Sequence, residues 1–190
     1  MNLPPLILAS ASPRRAELLR ELGLVFQVIA SDAAEVEHAH LTPREICQLN
    51  ACRKARAVAK KFPDALVLGA DTLVVLGTRL FGKPADLAEA RRMLQALAGR
   101  QHQVVTGLCL VHLRAHRQKT FYDTTEVWFR NLDELQIGNY LQAVNPLDKA
   151  GAYALQEQGG LIVDKISGSR SNVIGLPLEK LRVELAAWGG

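Results

Sequence analysis

The sequence predicts an α/β fold on a mixed sheet. Short apolar runs alternate with helix signals from the first residues onward. Capping boxes, Thr42-Pro43-Arg44-Glu45 and Asp86-Leu87-Ala88-Glu89, open two of the helices. Two long runs of strand character, Gln103 to Leu113 and Tyr122 to Phe129, follow one another as a hairpin. Strands joined through helices pair in parallel, whereas a hairpin pairs antiparallel, so the sheet is expected to be mixed.

Each element has its own signal. Leu6-Ile7-Leu8-Ala9 is short and apolar, as a buried strand is. Ala16 to Leu22 is helical, with Ser12 at the N-cap, Pro13 at the first helical position and Gly23 at the end. Phe26 to Ile29 is a short strand, and Ser31 to His40 a polar, acidic loop. The Thr42 box opens a helix to about Lys61, stopped by Pro63. Ala65 to Ala70 reads as a buried strand and Leu73 to Leu76 as a second short one, with a turn from Gly77. The Asp86 box opens a helix ending at Gly99. Asn131 to Ala143 is helical, Leu161 to Ile166 a strand, and Pro177 to Ala187 a closing helix. No repeat, low-complexity segment or Ser/Gly-rich linker divides residues 1–190, so one two-lobed domain with a cleft is expected.

Composition narrows the function classes. The chain is 48% hydrophobic and 22% charged, ordinary for a soluble globular protein. No apolar run reaches membrane-spanning length. Met1-Asn2-Leu3-Pro4-Pro5 has no basic segment before the first strand, so no signal peptide is expected. The 3 cysteines, Cys47, Cys52 and Cys109, suit neither a disulfide framework nor a zinc site, which makes reduced thiols and a cytoplasmic location the expectation. A net charge of +4 permits either nucleic acid or an anionic small molecule as partner. With scattered basic residues and only 5% aromatics, a stacking platform for nucleic acid is not expected.

Ser10-Ala11-Ser12-Pro13-Arg14-Arg15 carries the most chemistry. Arginines in the first helical turn oppose the helix dipole by about 0.3–1 kcal/mol each. They make sense if an anion, phosphate first, binds there with the amides and hydroxyls; the alternative is a solvated helix start. Asp71, with Thr72 beside it, ends an apolar run, where open α/β sheets bind ligands; the alternative is a turn aspartate. Glu35, near Asp32 and Glu37, is a hard oxygen donor suited to Mg²⁺, or else a solvated loop carboxylate. His38 and His40 read as surface histidines, a His-x-His pair alone being weak for zinc. Lys54 lies on a basic helix face. Lys83, fixed between Gly82 and Pro84, has a defined backbone that favours a positional role. Asp148 to Gln156 and Gly168 to Asn172 are loops, the first with small residues that allow close approach of a ligand. The phosphate-binding P-loop, the dinucleotide glycine fingerprint and the Gly-x-Ser-x-Gly elbow are all missing from the sequence.

Five segments together, Ser10–Arg15, Gly69-Ala70-Asp71-Thr72, Gly82-Lys83-Pro84, Asp148-Lys149-Ala150-Gly151-Ala152-Tyr153 and Gly175-Leu176-Pro177, resemble the Maf family of nucleoside triphosphate pyrophosphatases, in order and over nearly the whole chain. The resemblance implies an elongated α/β fold like that of inosine triphosphate pyrophosphatases, with a central mixed sheet flanked by helices, two lobes and a cleft. It implies hydrolysis of a nucleoside triphosphate to monophosphate and pyrophosphate, assisted by Mg²⁺ or Mn²⁺, and a homodimer. Asp71 is then the general base and could reach the metal. Glu35 is a metal ligand or lies behind one. Ser10, Arg14, Arg15, Lys54 and Lys83 surround the triphosphate and stabilise charge building at phosphorus.

Arg14, Thr72 and Gln156 resemble the branch acting on dTTP and UTP. The branch acting on 7-methyl-GTP tends to have tryptophan, glutamine and glutamate there. The chain departs from the family pattern at Glu157, where glycine is frequent, at Arg170, where an aromatic is common, and at Ala34, where a second carboxylate is usual. The alternatives are the same chemistry on 7-methyl-GTP or other modified nucleotides, and a non-catalytic, nucleotide-binding regulator of septum formation.

Overall fold

The computed structural model describes residues 3–36 and 40–189. Their order is β1 (Leu6–Leu8), α1 (Pro13–Glu21), β2 (Phe26–Val28), α2 (Pro43–Ala59), β3 (Leu66–Leu76), β4 (Arg79–Phe81), α3 (Leu87–Leu97), β5 (Gln101–His112), β6 (Arg117–Phe129) and α4 (Glu134–Ala143). A 3₁₀ turn (Ala150–Ala152), α5 (Gly159–Ile162), β7 (Val163–Ser167), α6 (Arg170–Ile174) and α7 (Leu178–Ala186) complete it. The described residues form a seven-stranded sheet in the order β2-β1-β3-β5-β6-β7, with β4 paired to β3. β1 runs parallel to β2 and β3, while β4 is antiparallel to β3 and β7 to β6. β5 and β6 are joined by residues 113–116 alone, a connection that permits only antiparallel pairing. The expected mixed α/β sheet is therefore present.

The elements correct the sequence reading in four places. The two strands expected at 65–70 and 73–76 are one strand, β3, with Asp71 and Thr72 in its middle. Polar residues did not end it because its second half gains a partner: Val74 to Leu76 pair with β4, itself unforeseen, across the Gly77 turn. β6 starts at Arg117, five residues before the expected Tyr122. The strand expected from Leu161 starts at Val163 because Gly159–Ile162 close a helical turn. The turn expected at Gly168–Asn172 contains the start of α6.

The chain divides into two compact units. The first comprises residues 1–71, 106–123 and 175–190, and the second residues 72–105 and 124–174. In the first unit, α2 is the organising helix. Thr42 Oγ1 accepts from Glu45 N, and Thr42 N donates to Glu45 Oε2 at 2.8 Å, so both halves of the box form. Ala51, Ala55, Val58 and Ala59 lie at helical spacing and pack with Ile7, Ala9 and Val67. Glycine permits this close seating. A Cβ at Gly69 would collide with the Ala51 carbonyl oxygen and lie 2.9 Å from Ala55 N. One at Gly107 would likewise meet the α2 backbone at Cys47 and Gln48.

In the second unit, Ala90, Met93, Leu94 and Leu97 form the buried stripe of α3, facing a core that includes Ile137, Tyr140 and Phe129. Gly151 adopts a φ of 69°, and a Cβ there would stand 2.9 Å from Val74. Its amide donates to Gly82 O at 3.0 Å, which ties the Gly82-Lys83-Pro84 segment to the 148–153 segment.

Candidate functional site

Asp71 is a carboxylate on a strand buried along most of its length, and it is itself only 6% exposed. A buried charge persists only when paired and hydrogen-bonded. α2 supplies both partners. Lys54 Nζ donates to Asp71 Oδ1 at 2.7 Å, and Asn50 Nδ2 donates to Oδ2 at 3.2 Å. Asn50 and Lys54 are four residues apart, hence on one helix face. The glycine seat at position 69 brings that face close to the strand.

The same two side chains hold the acidic loop. Asn50 Oδ1 accepts from Val36 N at 2.8 Å, and its Nδ2 donates to Val36 O at 3.2 Å. Arg53 Nε donates to Ala34 O at 3.1 Å. Glu35 is thereby presented to Lys54, whose Nζ meets its Oε1 at 2.5 Å. One ammonium lies between two carboxylates. Asn50 was not foreseen from the sequence. The available signal was an asparagine inside a helix four residues before a lysine, a residue type that competes with helical hydrogen bonding unless the site needs it.

Ser10 follows β1 and is buried. Its Oγ accepts from Ser12 N and from Arg15 Nη1, both at 3.2 Å, which leaves its proton for an acceptor. Arg15 Nη1 also donates to Ala70 O at 3.0 Å, and its Nε to Gly175 O at 2.9 Å. Burial lowers the guanidinium pKa, opposed by the nearby Asp71 charge. Arg15 thus ties two backbone carbonyls and the Ser10 hydroxyl together next to the carboxylate. Arg14 is half-buried in the first turn of α1. Ser12 is the N-cap residue, as expected, but its side chain makes no cap bond, and no acidic residue lies in that turn. The helix start keeps the positive character that favours an anion.

The remaining candidates lie elsewhere. Thr72, next to Asp71, is half-buried and belongs to the second unit, as do Lys83 and Gln156, both exposed. Lys149 is buried and bonds Asn145 O at 2.7 Å, Asp148 Oδ1 at 2.8 Å and Glu157 Oε1 at 3.2 Å, which anchors the Gln156 loop. Asp32 pairs with Lys61 on the surface rather than joining Glu35. His40 is exposed, and Glu37 and His38 lie outside the described residues.

Among the described residues, no three His, Cys, Asp or Glu side chains gather to hold a metal. A hard cation that takes one or two carboxylates and completes its shell with water and phosphate does fit Glu35 and Asp71, because a cationic group already bridges them. No helix among the described residues is long and apolar enough to cross a membrane.

Fold and site define a mixed-sheet α/β protein whose buried strand carboxylate is held by a helix lysine and asparagine beside an arginine-bearing helix start. The family model of the Maf-like proteins matches residues 5–188, and the chain belongs to that family. It is 46% identical over 176 residues to a dTTP/UTP pyrophosphatase of Akkermansia muciniphila, covering 93% of this chain and 92% of the relative. It is 47% identical to one of Syntrophus aciditrophicus, covering 93% and 86%, and 42% identical to one of Pelotomaculum thermopropionicum, covering 97% and 96%.

Proposed function

We propose that this chain hydrolyses dTTP and UTP to the monophosphate and pyrophosphate, with Asp71 as general base. The observation that carries the reading is the cluster of Asp71, Lys54 and Glu35 beside Arg14, Arg15 and Ser10. A carboxylate near a polyphosphate repels it unless cations intervene. Lys54 and the arginines supply that compensation, and Lys54 and Asn50 fix the carboxylate for proton abstraction from an attacking water. Ser10 donates its free proton to a phosphate oxygen. The start of α1 and Arg14 stabilise charge on the chain of phosphates as the anhydride breaks.

Glu35 and Asp71 are the residues that would hold Mg²⁺ or Mn²⁺. When bound, such an ion neutralises phosphate oxygens and lowers the pKa of a bound water. Thr72, Lys83 and Gln156 are assigned substrate contacts on the motif match alone. The pyrimidine preference rests on Arg14, Thr72 and Gln156 and on the activity named for the relatives. A single two-lobed domain, a homodimer and a cytoplasmic location complete the reading, on the resemblance to the family.

The test is product analysis with dTTP, UTP, CTP and 7-methyl-GTP. Pyrophosphate and monophosphate are expected in equal amounts, fastest from dTTP and UTP. Orthophosphate plus diphosphate nucleoside as the products overturns the reaction. A preference for 7-methyl-GTP overturns the subgroup.

A further inference from the structure

Cys52 and Cys109 are 57 residues apart in sequence, yet their sulfurs lie 2.7 Å from each other. Cys52 is on α2, on the side of the helix turned away from Asn50 and Lys54; Cys109 is in β5. Cys52 is half-buried, whereas Cys109 is fully buried. Polar groups reach both sulfurs, Cys52 more closely. Thr120 Oγ1 stands 3.3 Å from the Cys52 sulfur, and Gln118 Nε2 donates to it at 3.8 Å. Thr120 Oγ1 also donates to Cys109 Sγ, at 3.9 Å. Nothing in the hydrolytic chemistry uses either thiol.

We infer that Cys52 and Cys109 form a redox-modification site, a dithiol that peroxides oxidise to a disulfide stapling α2 to β5. The assignment of roles follows from access. Cys52, reachable from solvent, is the thiol that meets oxidant; Cys109, sealed behind it, resolves. The Cys109 hydrogen bond lowers the Cys52 thiol pKa; burial opposes it, and the Thr120 hydroxyl and the Arg56 charge reinforce it. The same contact, with burial, raises Cys109, so the pair holds one proton between an attacking thiolate and a waiting thiol.

The steps balance. The Cys52 thiolate attacks one peroxide oxygen, the O–O bond breaks, and hydroxide leaves and takes up a proton as water, which gives Cys52 sulfenic acid. The Cys109 sulfur then attacks the Cys52 sulfur and expels the second water, with the Cys109 proton taken up by the leaving oxygen. Two thiols and one hydrogen peroxide become one disulfide and two waters. The sulfurs stand 2.7 Å apart, against about 2.05 Å in a disulfide, so the bond has less than an ångström to close. Small thiols reverse it by exchange at Cys52.

The experiment treats the folded chain with hydrogen peroxide, quenches, and counts thiols after denaturation. The count is expected to fall from three to one, with peptide mapping linking residue 52 to 109 and dithiothreitol restoring all three. Cys52→Ser is expected to block the loss entirely. Cys109→Ser, a buried change, is paired with Cys109→Ala, and both are expected to leave a sulfenic acid at Cys52 that dimedone traps. Retention of all three thiols, linkage through Cys47, or sulfinic acid at Cys52 without a cross-link would each overturn the inference. Nucleotide turnover plays no part in the readout, so the result stands apart from the hydrolytic reading.

Discussion

Replacing Lys54 with methionine removes the ammonium that Asp71 and Glu35 share while keeping the aliphatic stem. Glu35 is 55% exposed at its side chain, so losing that contact costs no more than a surface pair, about 0–1 kcal/mol. Asp71 is different. Its side chain is 8% exposed, and it keeps the Asn50 amide as hydrogen-bond partner, with the Arg15 charge nearby. Breaking a buried pair by deleting one partner costs about 3–5 kcal/mol, because the other charge stays buried. The 13% exposure of Lys54 admits some solvent, so about 3 kcal/mol is expected, the low end of that range. With a urea slope near 2 kcal/mol/M, the midpoint falls by about 1.5 M. Urea unfolding followed by the fluorescence of Trp128 and Trp188 measures it. Adding Asp71→Asn to Lys54→Met is expected to recover most of the loss, since the stranded charge is gone. A single-variant loss under about 1 kcal/mol, or a double variant no better than the single, would mean that Asp71 is not a buried charge held by Lys54.

Three other outcomes test the packing, the pH response and the cysteine pair. Gly69→Ala drives a Cβ into the α2 backbone at Ala51, so it is expected to exceed the 1–3 kcal/mol of ordinary overpacking and to remove most folded protein, as circular dichroism would report. Burial lowers the His102 imidazole to about 4, below the roughly 6.5 of an unfolded chain. The unfolded chain then takes up the proton first. His102 therefore leaves stability intact above pH 6.5 and withdraws up to about 3 kcal/mol as pH falls to 4; His102→Gln should flatten that part of a urea-midpoint profile. The oxidised Cys52–Cys109 form is expected to gain up to about 4 kcal/mol against urea, from closing a 57-residue loop in the unfolded chain.

Local signals were legible where they act locally. The Thr42 and Asp86 boxes, Pro13, Gly23 and Gly99 placed their helices to within a few residues, because caps and stops depend on near neighbours. The Asp71–Thr72 step was misread as a strand end because a polar pair ends most strands. Here the backbone pairing with β4 carries the strand through, a long-range effect. In the candidate site, Asp71, Lys54, Glu35, Ser10 and Arg15 were named from the sequence, and the structure gathers them in one unit. What escaped was how they are held. Asn50 works through a loop fourteen residues upstream and a strand twenty-one residues downstream. Arg15 turned out to bind backbone carbonyls as well as the Ser10 hydroxyl. The Cys52–Cys109 contact depends on how α2 lies on β5, which Gly107 governs and no spacing rule encodes.

If Asp71 performs the proton transfer in triphosphate hydrolysis, removing its basicity must stop turnover without releasing the nucleotide. The most direct test compares wild type and Asp71→Asn with dTTP and Mg²⁺, reading pyrophosphate release alongside calorimetric binding of a non-hydrolysable dTTP analogue. The asparagine keeps shape and can still accept from Lys54 or Asn50, but it cannot take a proton. Turnover is expected to fall by about 10³-fold with analogue affinity kept within a few-fold. Turnover within about 10-fold of wild type, short of the range general-base loss produces, would mean that Asp71 is not the base.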